Sequence, residues 1–210
     1  CRKVKDVARA SASLSMLDQH VTDLLDREVG CLPRIIALYG ATYTPHEFAH
    51  SLCLPGDYVA MTSFTHHPFG SKFALETPDN RFGDTFLNRP IDTLMKRIVQ
   101  SLQSGHAVCW EGDTSEAGFR FAEGRATMPE GTKATQEERQ RLFDRRQTTD
   151  DHCMELCGLA RDRKGQRFFI AKNSWGKGNR YKGFMYLSDD YVRLKTIAVY
   201  MRMPIEPPNQ

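Results

Sequence analysis

The feature that most constrains this chain is a predicted β-hairpin near its C-terminal end. A histidine lies at the start of its first strand and an asparagine at the end of its second strand. Residues 152–161 and 166–174 are two runs rich in Phe, Ile and Leu, and a turn at Asp162-Arg-Lys-Gly165 separates them. In an antiparallel hairpin the start of one strand lies beside the end of the next. His152 and Asn173 are therefore predicted to lie side by side at one edge of a sheet.

This pair of side chains suits the activation of a cysteine nucleophile. The imidazole takes the thiol proton, and the oxygen of the Asn173 amide holds the ring in the productive orientation. Trp175 is predicted to cover that hydrogen bond from water, which strengthens it. Asp150 and Asp151 either favour the protonated imidazole by proximity or cap the strand. The chemistry needs a thiol, an imidazole and an amide, with no cofactor and no metal ion.

The order of the predicted elements is helices first and then mostly strands, which is typical of an α+β fold. Apolar spacing predicts a helix over about residues 4–27, and Thr44-Pro45 with Glu47 predicts the capped start of a second helix. A third helix follows Pro90, and a charged helix with a solvated basic face follows Thr135. We divide the chain into a helical segment with an insertion, residues 1–104, and a β-rich domain, residues 105–210.

Composition excludes several classes of protein. The chain has 210 residues, and its 12 Phe, 7 Tyr and 2 Trp are too many for a disordered chain. A net charge of +3 is too small to indicate a nucleic-acid-binding surface. No apolar stretch reaches the roughly 18 to 20 residues of a membrane span. The six cysteines lack the spacing of a zinc site or a disulfide scaffold, so reduced and mostly buried thiols are expected.

Several segments together resemble the papain-like cysteine peptidases, and within them the bleomycin hydrolase and bacterial aminopeptidase C branch. They occur in family order and are Tyr43-Thr-Pro-His-Glu-Phe48, Asp57-Tyr58-Val59, Thr65-His-His-Pro68, Asn88-Arg-Pro-Ile-Asp92, Gly105-His-Ala-Val-Cys-Trp-Glu-Gly-Asp113, Thr148-Thr-Asp-Asp-His152 and Lys172-Asn-Ser-Trp-Gly176. The resemblance implies the papain-like α+β fold, mainly its β-rich right-hand domain with preceding helices. It also implies a thiol aminopeptidase with His152 as general base, Asn173 as orienter, Trp175 as shield and a peptide as substrate. Relatives form hexameric rings whose C-terminal tail enters the cleft, a role that Pro204 to Gln210 could serve.

The family's nucleophile motif, a Gln followed by Gly-x-x-Cys-Trp, does not occur in this sequence. Cys1 lacks the neighbouring Gln and Trp, Cys109 is predicted to be a buried structural residue, and Cys153 is predicted to point away from His152 into the core. We therefore expect that a segment preceding this chain, the N-terminal part of the same enzyme, supplies the cysteine and the oxyanion-binding Gln. The chain alone is expected to be inactive.

Two alternative functions remain open at this stage. His46-Glu47-Phe-Ala-His50 fits the H-E-x-x-H pattern of zinc peptidases, in which two imidazoles one helical turn apart bind the metal. Glu47 is also the capping-box residue, and the third ligand is not evident, although His66 and His67 are available. The other alternative is a non-catalytic module that keeps the fold without the nucleophile.

Overall fold

The computed structural model describes residues 2–54 and 56–203. The chain divides into two compact units, Cys1–Pro55 and Gly56–Gln210. This division lies upstream of the domain boundary expected at residues 104 and 105, because strands from residues 58–88 pair with the sheet that carries the hairpin. None of the described helices is long and apolar enough to cross a membrane.

The first unit holds three helices and a two-stranded hairpin among its described residues. These elements are α1 (Arg2–Ala10), α2 (Leu14–Glu28), β1 (Ile36–Leu38), β2 (Ala41–Tyr43) and α3 (Pro45–Leu52). The single helix predicted over residues 4–27 is wrong, because the chain breaks near Ser13, whose side chain caps the start of α2 by accepting from the Met16 amide. The capping box at the start of α3 is confirmed: Thr44 and Glu47 bond reciprocally.

The second unit is built on a ten-stranded mixed sheet in the described part of the chain. Its strands are β3 (Tyr58–Thr62), β4 (Lys72–Ala74), β5 (Thr85–Asn88), β6 (Val108–Gly112), β7 (Phe119–Arg120), β8 (Arg125–Ala126), β9 (His152–Arg161), β10 (Arg167–Lys172), β11 (Phe184–Ser188) and β12 (Thr196–Arg202). The strand order is β4-β5-β3-β12-β6-β9-β10-β11-β8-β7. Three helices connect them: α4 (Ile91–Gln103), α5 (Gln136–Asp144) and α6 (Asp189–Lys195).

The predicted hairpin is confirmed as the antiparallel pair β9–β10. Its register pairs Lys172 with Glu155 and is irregular between Ile170 and Ala171. Because β9 is longer than β10, the chain that follows Lys172 lies beside the start of β9. The sequence therefore predicted the elements that bring His152 and Asn173 to the same sheet edge.

One face of the central strands and the apolar stripe of α4 form the main core. Every second side chain is buried along β6 and at Met154 and Leu156 of β9, as the period of two in a strand requires. The stripe of α4 packs against this face through Ile91, Leu94, Met95 and Ile98. On the opposite face the side chains of β6 and β9 are exposed or partly exposed, whereas β12 contributes Ile197 and Ala198 to a second buried cluster.

Helix α5 differs from its predicted solvated basic face. Arg139 is fully buried; its guanidinium lies over the Phe64 ring and donates to the backbone oxygens of Ser63 and Arg193. Burial lowers the Arg139 pKa to about 9. The alternation of charge in the sequence did not reveal this inward-facing cation. Its Nε and Nη1 atoms donate to backbone oxygens, while its buried Nη2 atom has no hydrogen-bond partner among the described residues.

Candidate active site

His152 is the first residue of β9 and pairs with Gly112 on β6. A Cβ atom at Gly112 would lie 2.3 Å from the Lys195 backbone oxygen and 2.4 Å from the Trp110 ring. Glycine at this position therefore lets the end of α6 pack closely against the strand beside His152. This close packing holds in place the end of β6 that pairs with His152.

The structure brings His152 and Asn173 together. The Nε2 atom of His152 lies 2.8 Å from the Asn173 Oδ1 atom, which is within hydrogen-bond distance. Asn173 is only 5% exposed; its backbone amide donates to the Gly183 oxygen, and its Nδ2 lies 3.8 Å from the Met185 sulfur. With Oδ1 as the acceptor, Nε2 carries the proton and Nδ1 is left as the basic nitrogen of the neutral ring.

Trp175 packs against the same imidazole. Its ring centroid is 4.7 Å from that of His152, with the planes tilted by 39°. Phe119 and Phe121 hold the indole through edge contacts at 5.6 and 5.3 Å. The indole covers one side of the His152–Asn173 pair while remaining 49% exposed itself.

The segment that leads into His152 is anchored by polar side chains that sequence analysis did not identify as part of the site. The buried Lys195 ammonium pairs with Glu116 and donates to the Gln147 oxygen at 2.6 Å. Buried Asp113 accepts from the Thr149 amide at 3.2 Å. These contacts fix residues 147–149. Since Lys195 and Asp113 follow no helical or strand periodicity with the histidine, no sequence signal connects them.

The two aspartates that precede His152 have different environments. Asp151 accepts from the amide and hydroxyl of Thr114 at 2.8 and 2.9 Å, so it braces two loops against each other. Burial, together with the nearby carboxylates of Glu111, Asp79 and Asp151, raises the pKa of Asp150 to about 7. An acid that titrates near pH 7 therefore lies two residues before the imidazole in the chain.

The cysteines do not occupy the predicted buried positions. All five in the described residues are exposed, so the expectation of buried thiols at Cys109 and Cys153 is wrong. Both point to the sheet face opposite the core, because they alternate with buried Trp110 and Met154. The neighbouring Cys153 thiol lowers the Cys109 pKa to about 7. Cys153 itself donates to the Glu111 Oε1 atom at 3.8 Å. Neither side chain shares a sheet face with His152.

In the H-E-x-x-H motif the glutamate, Glu47, caps the start of its own helix. Glu47 accepts from the Thr44 amide at 2.7 Å and from its hydroxyl at 2.9 Å, and these bonds lower the Glu47 pKa. The rings of His46 and His50 lie 6.1 Å apart on α3. The carboxylate that would activate water in a zinc peptidase is therefore bound to the N-terminus of its own helix. Cys1 and the tail Pro204 to Gln210, to which sequence analysis gave candidate roles, lie outside the described residues.

Comparison with known proteins places this geometry in a family. The Peptidase C1-like family matches residues 40–202. Aminopeptidase G from Lactobacillus delbrueckii subsp. lactis is 28% identical over 152 residues, which are 65% of this chain and 33% of that protein.

Among solved structures, PepW from Lactobacillus rhamnosis HN001 aligns with a TM-score of 0.65 at 17% identity, covering 98% of this chain and 52% of PepW. The bromelain protease from Ananas comosus aligns over 54% of this chain and 46% of its own at 16% identity, with a TM-score of 0.35. The chain thus spans about a third of Aminopeptidase G and about half of PepW. The fold is papain-like, and the chain belongs to the Peptidase C1-like family, the papain-like cysteine peptidases of the aminopeptidase C branch.

Proposed function

We propose that this chain supplies the imidazole and amide of the active site of a thiol aminopeptidase. The observation that carries the proposal is the 2.8 Å contact between His152 Nε2 and Asn173 Oδ1. The similarity to a protein named Aminopeptidase G supports removal of N-terminal residues from peptides. Peptides are therefore the proposed substrates.

In this proposal His152 acts first as general base and then as general acid. Its Nδ1 atom accepts the proton of a cysteine thiol, and the resulting thiolate attacks the carbonyl carbon of the N-terminal peptide bond. The same proton then passes to the leaving amine as the peptide bond breaks, which leaves the acyl group on the cysteine as a thioester. A water molecule that gives a proton to Nδ1 then attacks this thioester, which releases the acid, and the proton returns to the thiol. Asn173 keeps the ring in one orientation and stabilises the imidazolium through Oδ1, while Trp175 limits the access of water to that hydrogen bond.

The nucleophilic cysteine and an oxyanion-binding Gln are proposed to come from a segment encoded upstream of Cys1. Cys31 and Cys53 are each followed by leucine, whereas the family motif has Trp after its cysteine. Cys109 is followed by Trp110, but this Trp is buried in the core and the cysteine lies on a strand. In papain-like enzymes a helix N-terminus instead lowers the pKa of the thiol.

The experiment compares the 210-residue chain with the same chain joined to its upstream segment. Turnover of an aminoacyl-coumarin substrate is measured for both. We expect no turnover by the shorter chain and thiol-dependent turnover by the longer one. His152→Ala in the longer chain is expected to lower kcat by about 10²- to 10⁴-fold, the usual contribution of a general acid–base group. Lys177→Ala, on an exposed loop, is the matched control.

Two results contradict the proposal. One is turnover by the shorter chain that a thiol alkylating agent abolishes. The other is a start codon directly before the codon of Cys1, with no Gln-x-x-x-x-x-Cys-Trp segment encoded upstream. That result favours the non-catalytic module. The hexamer implied by the resemblance is a separate proposal, tested by light scattering of the longer chain.

A further inference from the structure

The consecutive histidines His66 and His67 of the second unit point to the same side. Neighbouring residues of an extended chain would point to opposite sides. The cause is the turn that follows β3. The buried Asn88 amide donates to the backbone oxygens of Phe64 and His67 at 2.7 and 2.8 Å and accepts from the Phe64 amide. These bonds curl the chain so that the rings of His66 and His67 lie 4.7 Å apart.

Both imidazoles face the same carboxylate. His66 Nε2 lies 3.0 Å from one oxygen of Glu76, and His67 Nε2 lies 2.8 Å from the other. One nitrogen from each ring and one carboxylate oxygen lie within 4.8 Å of one another. Burial acts to raise the Glu76 pKa, but the hydrogen bonds from His67 and His66 outweigh it and hold that pKa below its ordinary value.

Aromatic packing holds the two rings in place. The His67 ring stacks on Phe73 at 4.0 Å. The His66 ring stacks on Phe143 of α5 with an interplanar angle of 11° and meets Phe73 edge-on. The side chains are therefore ordered by the packing of the protein before any ligand binds, which reduces the entropy lost on binding.

We propose that His66, His67 and Glu76 form a binding site for a divalent cation of the zinc type. Two imidazole nitrogens and one carboxylate oxygen are a donor set that Zn²⁺ takes, with a fourth position left for water. Zn–N and Zn–O bonds of about 2.0 to 2.2 Å place ligand atoms about 3.3 Å apart in a tetrahedron. The two nitrogen–oxygen separations, 3.0 Å to one Glu76 oxygen and 2.8 Å to the other, are a few tenths of an ångström shorter than this. The three ligand atoms, one from each residue, lie within 4.8 Å of one another and need to adjust to that spacing.

The ion has a route to this site from solvent. The side chains of His66, His67 and Glu76 are 30%, 34% and 54% exposed. Glu76 also borders an open cavity of about 590 Å³ that extends to Asp150. The site is separate from the His152–Asn173 pair and does not depend on the proposed peptidase function.

The side-chain amide of Gln140 makes a hydrogen bond to His66 that metal binding must break. Gln140 Nε2 lies 3.1 Å from His66 Nδ1, while Gln140 Oε1 accepts from the Thr65 amide at 2.5 Å and Nε2 also donates to Asp144. These bonds fix the amide with a donor toward His66, so Nδ1 is an acceptor in the metal-free ring. A metal on Nε2 moves the proton to Nδ1, and the Gln140 contact must then break.

The test titrates Zn²⁺ into the chelator-treated 210-residue chain by calorimetry, followed by Co²⁺ as a spectroscopic substitute. We expect one ion per chain, a tetrahedral Co²⁺ absorption spectrum, and broadening of the His66 and His67 ring signals by Co²⁺ in NMR. Glu76→Gln and His67→Asn are each expected to weaken Zn²⁺ binding at least tenfold. The matched control is the double variant His46→Ala and His50→Ala, which should bind as the unmodified chain does.

Several outcomes overturn the proposal. They are the absence of saturable binding, unchanged affinity in folded Glu76→Gln or His67→Asn, and loss of binding in the control double variant. A thiolate-to-cobalt charge-transfer band places the ion on cysteines instead and also overturns it. The NMR measurement uses the unmodified chain, so it decides the question even where a variant fails to fold: broadening of His46 and His50 alone contradicts the site.

Discussion

Two histidine regions of the second unit differ in the group that their rings face. His152 meets one neutral amide oxygen, that of Asn173, whereas His66 and His67 share the carboxylate of Glu76. The first arrangement orients a single ring and leaves its other nitrogen basic. The second gathers nitrogen and oxygen donors around one point. The partner of the imidazole, and not the histidine itself, therefore distinguishes the region proposed to transfer a proton from the region proposed to bind a cation.

The carboxylates near the two regions differ in the same way. Glu76 has two imidazole donors, and its pKa is lowered. Asp150 lies near His152 among other acids and is partly buried, and its pKa is raised to about 7. An acid with nearby donors stays ionised, whereas an acid surrounded by acids keeps its proton.

Among the predictions that compare the two histidine regions, the largest effect is expected from removing the amide that contacts His152. In the longer chain that we propose to be active, Asn173→Ala removes the oxygen proposed to hold the imidazolium. A hydrogen bond to a charged group contributes about 1.5 to 3 kcal/mol, so kcat should fall by about 10- to 150-fold with a smaller change in KM. Steady-state kinetics measures the split, with Lys177→Ala as control. An unchanged kcat would show that Asn173 does not position the base.

The second prediction concerns the thiol pair on the opposite face of β9. Cys153→Ala removes the neighbouring thiol that lowers the Cys109 pKa, so this pKa should rise from about 7 toward its ordinary value near 8.5. The thiolate fraction at pH 7, and with it the rate of alkylation by iodoacetamide, should fall roughly tenfold. Mass spectrometry of Cys109 measures the rate, and Cys31 in the same sample is the internal control.

A pH profile of Cys109 alkylation that is the same with and without Cys153 would refute the thiol contact. The result also bears on the peptidase assay. Because Cys109 is exposed and its pKa is lowered, we expect it to react with the alkylating agent, and its modification must be separated from that of a catalytic cysteine. Cys109→Ser in the longer chain should keep its sensitivity to alkylation if the nucleophile lies upstream.

The third prediction sharpens the cation site. Metal-bound His66 carries a proton on Nδ1 and needs a hydrogen-bond acceptor there. Gln140→Glu supplies one, because the second carboxylate oxygen can accept a hydrogen bond from Nδ1. Partners of metal-bound histidines typically change affinity by about 10- to 100-fold, and repulsion from Asp144 puts this case at the lower end, near tenfold tighter. Calorimetry with Zn²⁺ measures it. Weaker binding by folded Gln140→Glu would argue against His66 as a ligand through Nε2.

The smallest expected effect is on stability and follows from Asp150. Its folded pKa of about 7 lies above the unfolded value near 3.9, so the folded protein keeps a proton that the unfolded chain has lost. Stability therefore falls as pH rises from about 4 to 7, by on the order of 1 kcal/mol after solvent screening. Asp150→Asn should remove this fall, so that the variant is the more stable protein at pH 8.

Urea unfolding at pH 4.5 and pH 8 measures this difference. Asp18→Asn on the exposed surface of α2 is the control and should follow the unmodified chain at both pH values. An Asp150→Asn variant that is no more stable than the unmodified chain at pH 8 would mean that the carboxylate is already ionised at lower pH.

The sequence predicted much of the fold where the signal is local. The β9–β10 hairpin, the strands near residues 184–188 and 196–202, the helix after Pro90 and the Thr44 capping box follow from turn residues, periodicity and caps. The meeting of His152 and Asn173 follows from the hairpin, since a tight turn fixes which ends of two strands are adjacent. Their catalytic roles remain predictions.

The sequence did not reveal features that depend on distant contacts. The alternation of charge on α5 did not show that Arg139 is buried over Phe64, and residue type did not show that Cys109 and Cys153 are exposed on the sheet face opposite the core. The Lys195 and Asp113 anchors of the segment before His152 come from separate parts of the chain. The burial or exposure of each of these side chains depends on which face of its helix or strand packs against another part of the chain.

By itself, therefore, the sequence determined the hairpin, its two polar ends and the resemblance to a peptidase family, because those depend on residues close in sequence and on an ordered set of motifs. Only the tertiary structure decided that His66 and His67 share Glu76 while Glu47 caps its own helix. The physical reason is that side-chain direction in a turn depends on long-range hydrogen bonds such as those of Asn88, which spacing along the chain does not encode.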